Sequence, residues 1–165
     1  GGSQGAKIFS QSIPTVLIGI QQEYLKNLMI VHQTRKEDKT ILESTYNKLN
    51  VKCTVKEFFD DVQNEIYNSD IVIARCGAST LAEIEYCKKF SLLFPLPTAM
   101  DDNQLENAKQ FKKKNDCQIF NQNKIPYSKL RELLKSQLFY KNEIKTNLQE
   151  SKKISLIKFI DDIIQ

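Results

Sequence analysis

The chain has 165 residues, of which 41% are hydrophobic and 27% charged, an ordinary balance for one soluble globular domain with a packed core. Its formal net charge of +4 suits phosphate-bearing or acidic-membrane partners without establishing either. The apolar runs are too short to span a bilayer, the N-terminus lacks a signal-peptide layout, and four scattered cysteines with one histidine argue against a zinc site.

In chain order, 1-GGSQGA-6 is a Gly-rich stretch that leads into a helix, read either as a plain tight turn or as a phosphate cradle. The apolar run 28-LMIVH-32 predicts a buried strand, and residues 36–49 a helix with Ile41, Leu42, Tyr46 and Leu49 at helical spacing. A strand at 51–55, a helix over 60–67, a strand at 70–74 and a helix over 79–88 follow. The pattern continues with a strand at 91–95, a helix over roughly 101–115 and a short strand at 117–120. Residues 126–164 read as helical throughout. Strands separated by helices predict an α/β domain: a Rossmann-like open parallel sheet with helices on both faces. The four cysteines fit reduced, mostly buried thiols of a cytosolic protein.

Ligands of such sheets gather outside the carboxyl ends of the strands, so the turns at that edge carry the chemistry. In 71-IVIARCGASTLAEI-84 an apolar strand runs into a small-residue turn and a helix start. Ser79 and Thr80 can cap that helix, and its first amides suit a pyrophosphate. Glu83 is open to two readings: the acid of a Thr80–Glu83 capping box, or a carboxylate that accepts both hydroxyls of a ribose. Asn103, Gln104 and Asn107 lie near the next helix start, either as polar capping or as amides that read sugar hydroxyls. His32 reads as a structural histidine rather than a general base, and Asp60-Asp61 as helix capping rather than a metal site. The run 109-KQFKKKND-116 reads as the solvated face of a helix, with a phosphate or membrane patch as the alternative.

Taken in series, GGSQGA (1–6), VHQT (31–34), FFDD (58–61), RCGASTLAE (75–83), PLP (95–97) and DNQLENA (102–108) resemble one family. It is that of the MurG-type UDP-N-acetylglucosamine:lipid-linked muramyl-pentapeptide N-acetylglucosaminyltransferases of peptidoglycan synthesis. The likeness is to their C-terminal half and runs to about position 110. It implies the donor-binding domain of a GT-B glycosyltransferase. On this resemblance Ser3 and Gln4 lie beside the pyrophosphate and uridine, and the backbone of Phe59 pairs with the uracil edge. Ala78, Ser79 and Thr80 hold the diphosphate, Glu83 the ribose, and Gln104 with Asn103 and Asn107 the N-acetylglucosamine.

The resemblance further implies UDP-N-acetylglucosamine as donor, no cofactor, no metal and no nucleic acid partner. The lipid-linked muramyl-pentapeptide acceptor, the inner-membrane contact and the catalytic base belong to an N-terminal half absent from this sequence, so no catalytic residue is assigned here. The whole enzyme would work at the cytoplasmic face of the inner membrane. A chain that opens on Gly1-Gly2-Ser3 without a Met is expected to be a processed form or a fragment. Absent too is the strand that ordinarily runs into GGSQGA, which predicts a gap or raw edge in the sheet. Two departures stand out: Arg35 where the family usually has Gly, and Lys88-Lys89-Phe90 where it shows Gly-x-Pro. A non-catalytic nucleotide-sugar-binding subunit, like that of the split eukaryotic dolichol-linked enzyme, and a decayed remnant are the competing readings. Residues 1–150 are assigned to the donor domain and 151–165 to a terminal amphipathic helix, with Ile154, Ile157, Ile160 and Ile164 on one side, packing toward the absent half.

Overall fold

The computed structural model describes residues 2–97, 102–138 and 152–156, with residues 2–6, 102, 138 and 152–156 described by backbone only. Its strands are β1 (Leu28–Gln33), β2 (Lys52–Lys56), β3 (Ile71–Ala74), β4 (Phe90–Leu93), β5 (Cys117–Ile119) and β6 (Lys152–Leu156). The helices are α1 (Gly2–Ile18), α2 (Gln22–Leu25), α3 (Lys36–Lys48), α4 (Val62–Tyr67), α5 (Ala78–Cys87), α6 (Asp102–Lys112) and α7 (Tyr127–Leu138). The strands join in the order β2-β1-β6-β3-β4-β5, with every neighbouring pair parallel. This is the expected Rossmann-like sheet.

Strands β1, β3 and β4 are buried on both faces, and the alternation of side chains along a strand divides the core in two. Ile71 and Ile73 of β3 join Phe9, Ile13 and Leu17 of α1, Leu42 and Tyr46 of α3, and Leu130 and Leu134 of α7 in one cluster. Val72 and Ala74 turn the other way, onto Ile66 of α4, Leu81 and Ile84 of α5, and Ala108 and Phe111 of α6. Between them the two clusters explain why 71-IVIA-74 is apolar at every position.

The structure departs from expectation at both ends. Helix α1 begins at Gly2, so the backbone of residues 2–6 is helical rather than a loop that precedes a helix. Residues 152–156 form a strand where a helix was expected, and the rest of the expected terminal helix, 157–165, lies outside the described residues. The expected gap is absent for the same reason. β6 lies between β1 and β3, pairing Ile154 with both Ile30 and Ile71. The physical pull is the row of backbone N–H and C=O groups that β1 and β3 would otherwise leave facing each other inside the sheet. Sequence patterning missed it because a central parallel strand ordinarily reads as a continuous apolar run, whereas 152-KKISL-156 carries two lysines and a serine.

The two departures from family pattern also find their reasons. Arg35 has φ −76°, a conformation that does not need glycine, and it pairs with Glu37 at 3.3 Å and Asp38 at 3.2 Å in the first turn of α3. Lys88 closes α5 at φ 51°, ψ 45°, the left-handed position that glycine takes most readily. Lys88 thus holds, without glycine, a conformation that glycine takes most readily.

Candidate functional site

The carboxyl ends of β1 to β5 open onto one edge, where the turns after β2, β3 and β4 gather. After β3, Arg75, Cys76 and Gly77 are buried, then Ala78 and Ser79 emerge as exposed residues. Gly77 is the N-cap of α5, extended at φ −63°, ψ 147°, and no side chain caps the helix start. Ser79 and Thr80 therefore sit inside the first turn rather than capping it, which corrects the expectation for their hydroxyls. The first amides of a helix have no intrahelical acceptor, and together with the helix dipole they favour an anion.

Thr80 is fully buried, and its hydroxyl has no hydrogen-bond partner among the described residues. One turn on, Glu83 Oε2 is likewise buried without a partner, and desolvation raises the pKa of the carboxyl above its ordinary value. With Gly77 as N-cap, Thr80 falls at the third helical position and Glu83 beyond it, so the two do not form a capping box. Glu83 is instead held with unused acceptor capacity beside an uncapped helix start. That arrangement favours its second reading, a carboxylate waiting for hydroxyl donors.

After β2, the chain passes Glu57 and Phe58 to Phe59, whose ring is buried beneath Lys56 Nζ at 5.4 Å from its centroid. Gln33 Nε2 donates to the carbonyl of Glu57 at 3.0 Å, and the Thr34 amide to that of Lys56 at 2.9 Å, so this turn is tied to β1. Asp61 then caps α4 by accepting from the Asn64 amide at 2.9 Å, as its capping reading expected. The ends of β2 and β3 are three strand spacings apart, about 14 Å. An extended nucleotide bridging the Phe59 turn and the α5 start has a span of that order.

The third wall is the turn after β4. Gln104 of α6 is buried, and its Oε1 accepts from the Cys76 amide at 3.3 Å and the Leu96 amide at 3.2 Å. Asn107 Nδ2 donates to the Cys76 carbonyl at 3.3 Å. Gln104 thus braces the turns after β3 and β4 against α6, and Asn107 the turn after β3, a structural duty that spacing did not reveal. Asn103 is exposed on the same helix. Beside them a cavity of about 330 Å³ is lined by Pro95, Leu96, Pro97, Leu105, Ile119, Phe120 and Asn121. A larger cavity of about 680 Å³, with Asp70, Lys88, Lys89 and Asp116 in its wall, opens at the opposite edge of the sheet, away from these turns.

Ser3 and Gln4 fall in the first turn of α1, where the backbone alone is described. His32 is fully buried with Nδ1 2.7 Å from the Tyr46 hydroxyl, and desolvation lowers its pKa to about 3. It is a structural histidine, neutral at physiological pH. Sequence reasoning passed over Arg75, buried at 5% exposure with its guanidinium 5.5 Å from the Phe9 ring centroid. Burial lowers its pKa to about 10, which leaves it charged at neutral pH. An arginine at the very end of an apolar strand was the available signal. Among the described residues no group of His, Cys, Asp and Glu side chains could hold a metal ion, and no helix is long and apolar enough to cross a membrane.

Fold and edge together define a Rossmann-like domain with an anion-ready helix start and an acid one turn along. By its sequence, the chain belongs to the glycosyltransferase family 28 C-terminal domain, whose family model matches residues 1–165. Curated relatives carry the name UDP-N-acetylglucosamine--N-acetylmuramyl-(pentapeptide) pyrophosphoryl-undecaprenol N-acetylglucosamine transferase. That of Agrobacterium fabrum is 37% identical over 138 residues, covering 84% of this chain and 36% of its own length. That of Brucella melitensis is 35% identical over 152 residues, covering 92% and 39%. The crystal structure of Acinetobacter baumannii MurG superposes with a TM-score of 0.71 at 26% identity, covering 86% of this chain and 42% of that one. The chain thus spans less than half the length of each of these proteins.

Proposed function

We propose that this chain is the donor-binding part of an inverting hexosyltransferase that moves N-acetylglucosamine from UDP-N-acetylglucosamine to the 4-hydroxyl of a lipid-linked muramyl-pentapeptide. The observation that carries the reading is the pairing of an uncapped α5 start with the unpartnered Glu83 carboxylate oxygen. The names of the relatives supply the donor and the acceptor. In this reading the amides at Ala78, Ser79 and Thr80 take the diphosphate, Glu83 takes the ribose hydroxyls and the Phe59 backbone takes the uracil edge. Ser3 and Gln4 flank the pyrophosphate and uridine. Gln104, with Asn103 and Asn107 beside it, faces the sugar.

The chemistry follows from charge. A base in the remainder of the enzyme removes the proton of the acceptor hydroxyl, the oxygen attacks C1 of the donor sugar, and UDP departs with the bonding pair. Negative charge on the leaving diphosphate grows as that bond breaks, so the helix amides stabilise the transition state more than the ground state. The remainder of the enzyme also binds the lipid-linked acceptor, at the cytoplasmic face of the membrane.

The test is titration of the chain with UDP-N-acetylglucosamine, with GDP- and ADP-sugars as controls. Glu83→Ala is expected to weaken the UDP-sugar by about 1–3 kcal/mol, the usual loss for hydrogen bonds to a charged group. Equal binding of all three sugars, or a variant that loses stability and keeps its affinity, would remove the assignment. A second reading, a donor-binding subunit that joins a separate acceptor subunit, draws support from β6, by which the chain fills the middle of its own sheet. It predicts donor binding by this chain alone and transfer only when the acceptor subunit is added.

A further inference from the structure

Arg75 is a buried cation met by neutral groups. Nη1 donates to the carbonyls of Phe94 at 2.8 Å and Pro95 at 3.3 Å, Nη2 donates to Oε1 of Gln122, and Nε has no partner among the described residues. No carboxylate pairs with it among the described residues. Burying a guanidinium without a counter-charge is costly, and an apolar residue at the end of 71-IVIA-74 would avoid that cost. A planar fork has one advantage over such a residue: it reaches several acceptors on different segments at once.

Those acceptors lie on the turn after β4 and the turn after β5. The first of these turns is poor in donors of its own, because Pro95 and Pro97 carry no N–H. Its one intervening amide, that of Leu96, goes to Gln104. The Pro95–Leu96 segment is therefore clamped from two sides, by Arg75 through carbonyls and by Gln104 through an amide. Gln104 in turn holds the Cys76 amide, next to Arg75 in the chain. Arg75, the proline turn and Gln104 close a loop of hydrogen bonds around the wall of the site nearest α6.

We propose that Arg75 is a positioning residue for the sugar end of the donor site, fixing the 94–97 turn and, through Leu96, the side chain of Gln104. The inference rests on the donor reading given above. It predicts a selective defect: the uridine diphosphate half of the donor, held by α5 and the Phe59 turn, is untouched, and the sugar half loses its wall.

The experiment compares Kd for UDP and for UDP-N-acetylglucosamine in the wild-type chain, in Arg75→Lys, which keeps the charge and loses the fork, and in Gln122→Ala, which leaves the buried cation in place. Arg75→Lys is expected to weaken UDP-N-acetylglucosamine about tenfold and UDP less than twofold, with a smaller selective loss in Gln122→Ala. An equal loss for both ligands, or no loss for either, overturns the proposal, since a merely structural role does not separate them. Hydrogen exchange supplies a readout independent of ligand. The Leu96 and Cys76 amides should exchange faster in Arg75→Lys while those of β1 keep their protection, and unchanged exchange at Leu96 also overturns it. A wild-type chain that binds neither ligand sinks the donor reading instead, and the exchange data still decide whether Arg75 braces the turn.

Discussion

Two helices start at the same edge of the sheet and meet their end groups differently. α4 is closed by its own sequence, with Asp61 accepting from the Asn64 amide. α5 begins on a glycine with no side-chain cap, and a buried threonine hydroxyl and a carboxylate oxygen nearby also lack partners among the described residues. The first is what a helix does when nothing but water will meet it. The second leaves anion-binding and hydroxyl-binding capacity unspent in one place, which is a sound physical reason to look for a ligand there.

The sharpest way to break this contrast is to give α5 the cap that α4 has. Gly77→Asp keeps an N-cap conformation that aspartate adopts readily. It should weaken UDP-sugar binding by about 3 kcal/mol, through competition for the amides and repulsion of the diphosphate, as measured by titration. Thermal melting should meanwhile show stability unchanged or raised by a few tenths of a kcal/mol. The reverse change, Asp61→Ala, should cost about 1 kcal/mol of folding stability in urea titration and leave donor affinity alone. At the other end of α5, Lys88→Gly should relieve the left-handed backbone and stabilise the domain by about 0.5–1 kcal/mol, again without touching the site.

The smallest effect separates stability from binding through pH. The Glu83 carboxyl has a raised pKa in the fold, so the folded chain holds its proton to higher pH than the unfolded chain does. In that window folding stability rises as pH falls. Donor affinity moves the other way, because the protonated acid loses acceptor capacity. Glu83→Gln should flatten both profiles, and melting curves and titrations at several pH values would show it.

The plainest strands in the sequence were those that both faces of the core require to be apolar, such as 28–32 and 70–74, while the half-exposed 51–55 was read from its neighbours in the alternating pattern. β6 escaped because Ile154, Ile157, Ile160 and Ile164 fall at helical spacing, and only the unpaired edges of β1 and β3 explain a strand there. At the candidate site, spacing marked turns that do gather at one edge but could not choose between uses. Thr80 and Glu83 fit a capping box as well as a ribose clamp until the position of Gly77 as cap was known. Gln104 and Asn107 also brace the neighbouring turn, a duty that spacing could not show because hydrogen bonds across more than twenty residues of chain are not a local signal.

The placement of β6 also has a consequence for how the chain is made. Its partners on β1 precede it by more than 120 residues and those on β3 by more than 80. Among the described strands, β1–β2 and β3–β5 are two separate ribbons, each with an open inner border, until β6 has left the exit tunnel. Pairing over such sequence distances is slow and leaves edges exposed to other nascent chains. β6 is thus the strand that turns two half-sheets into one.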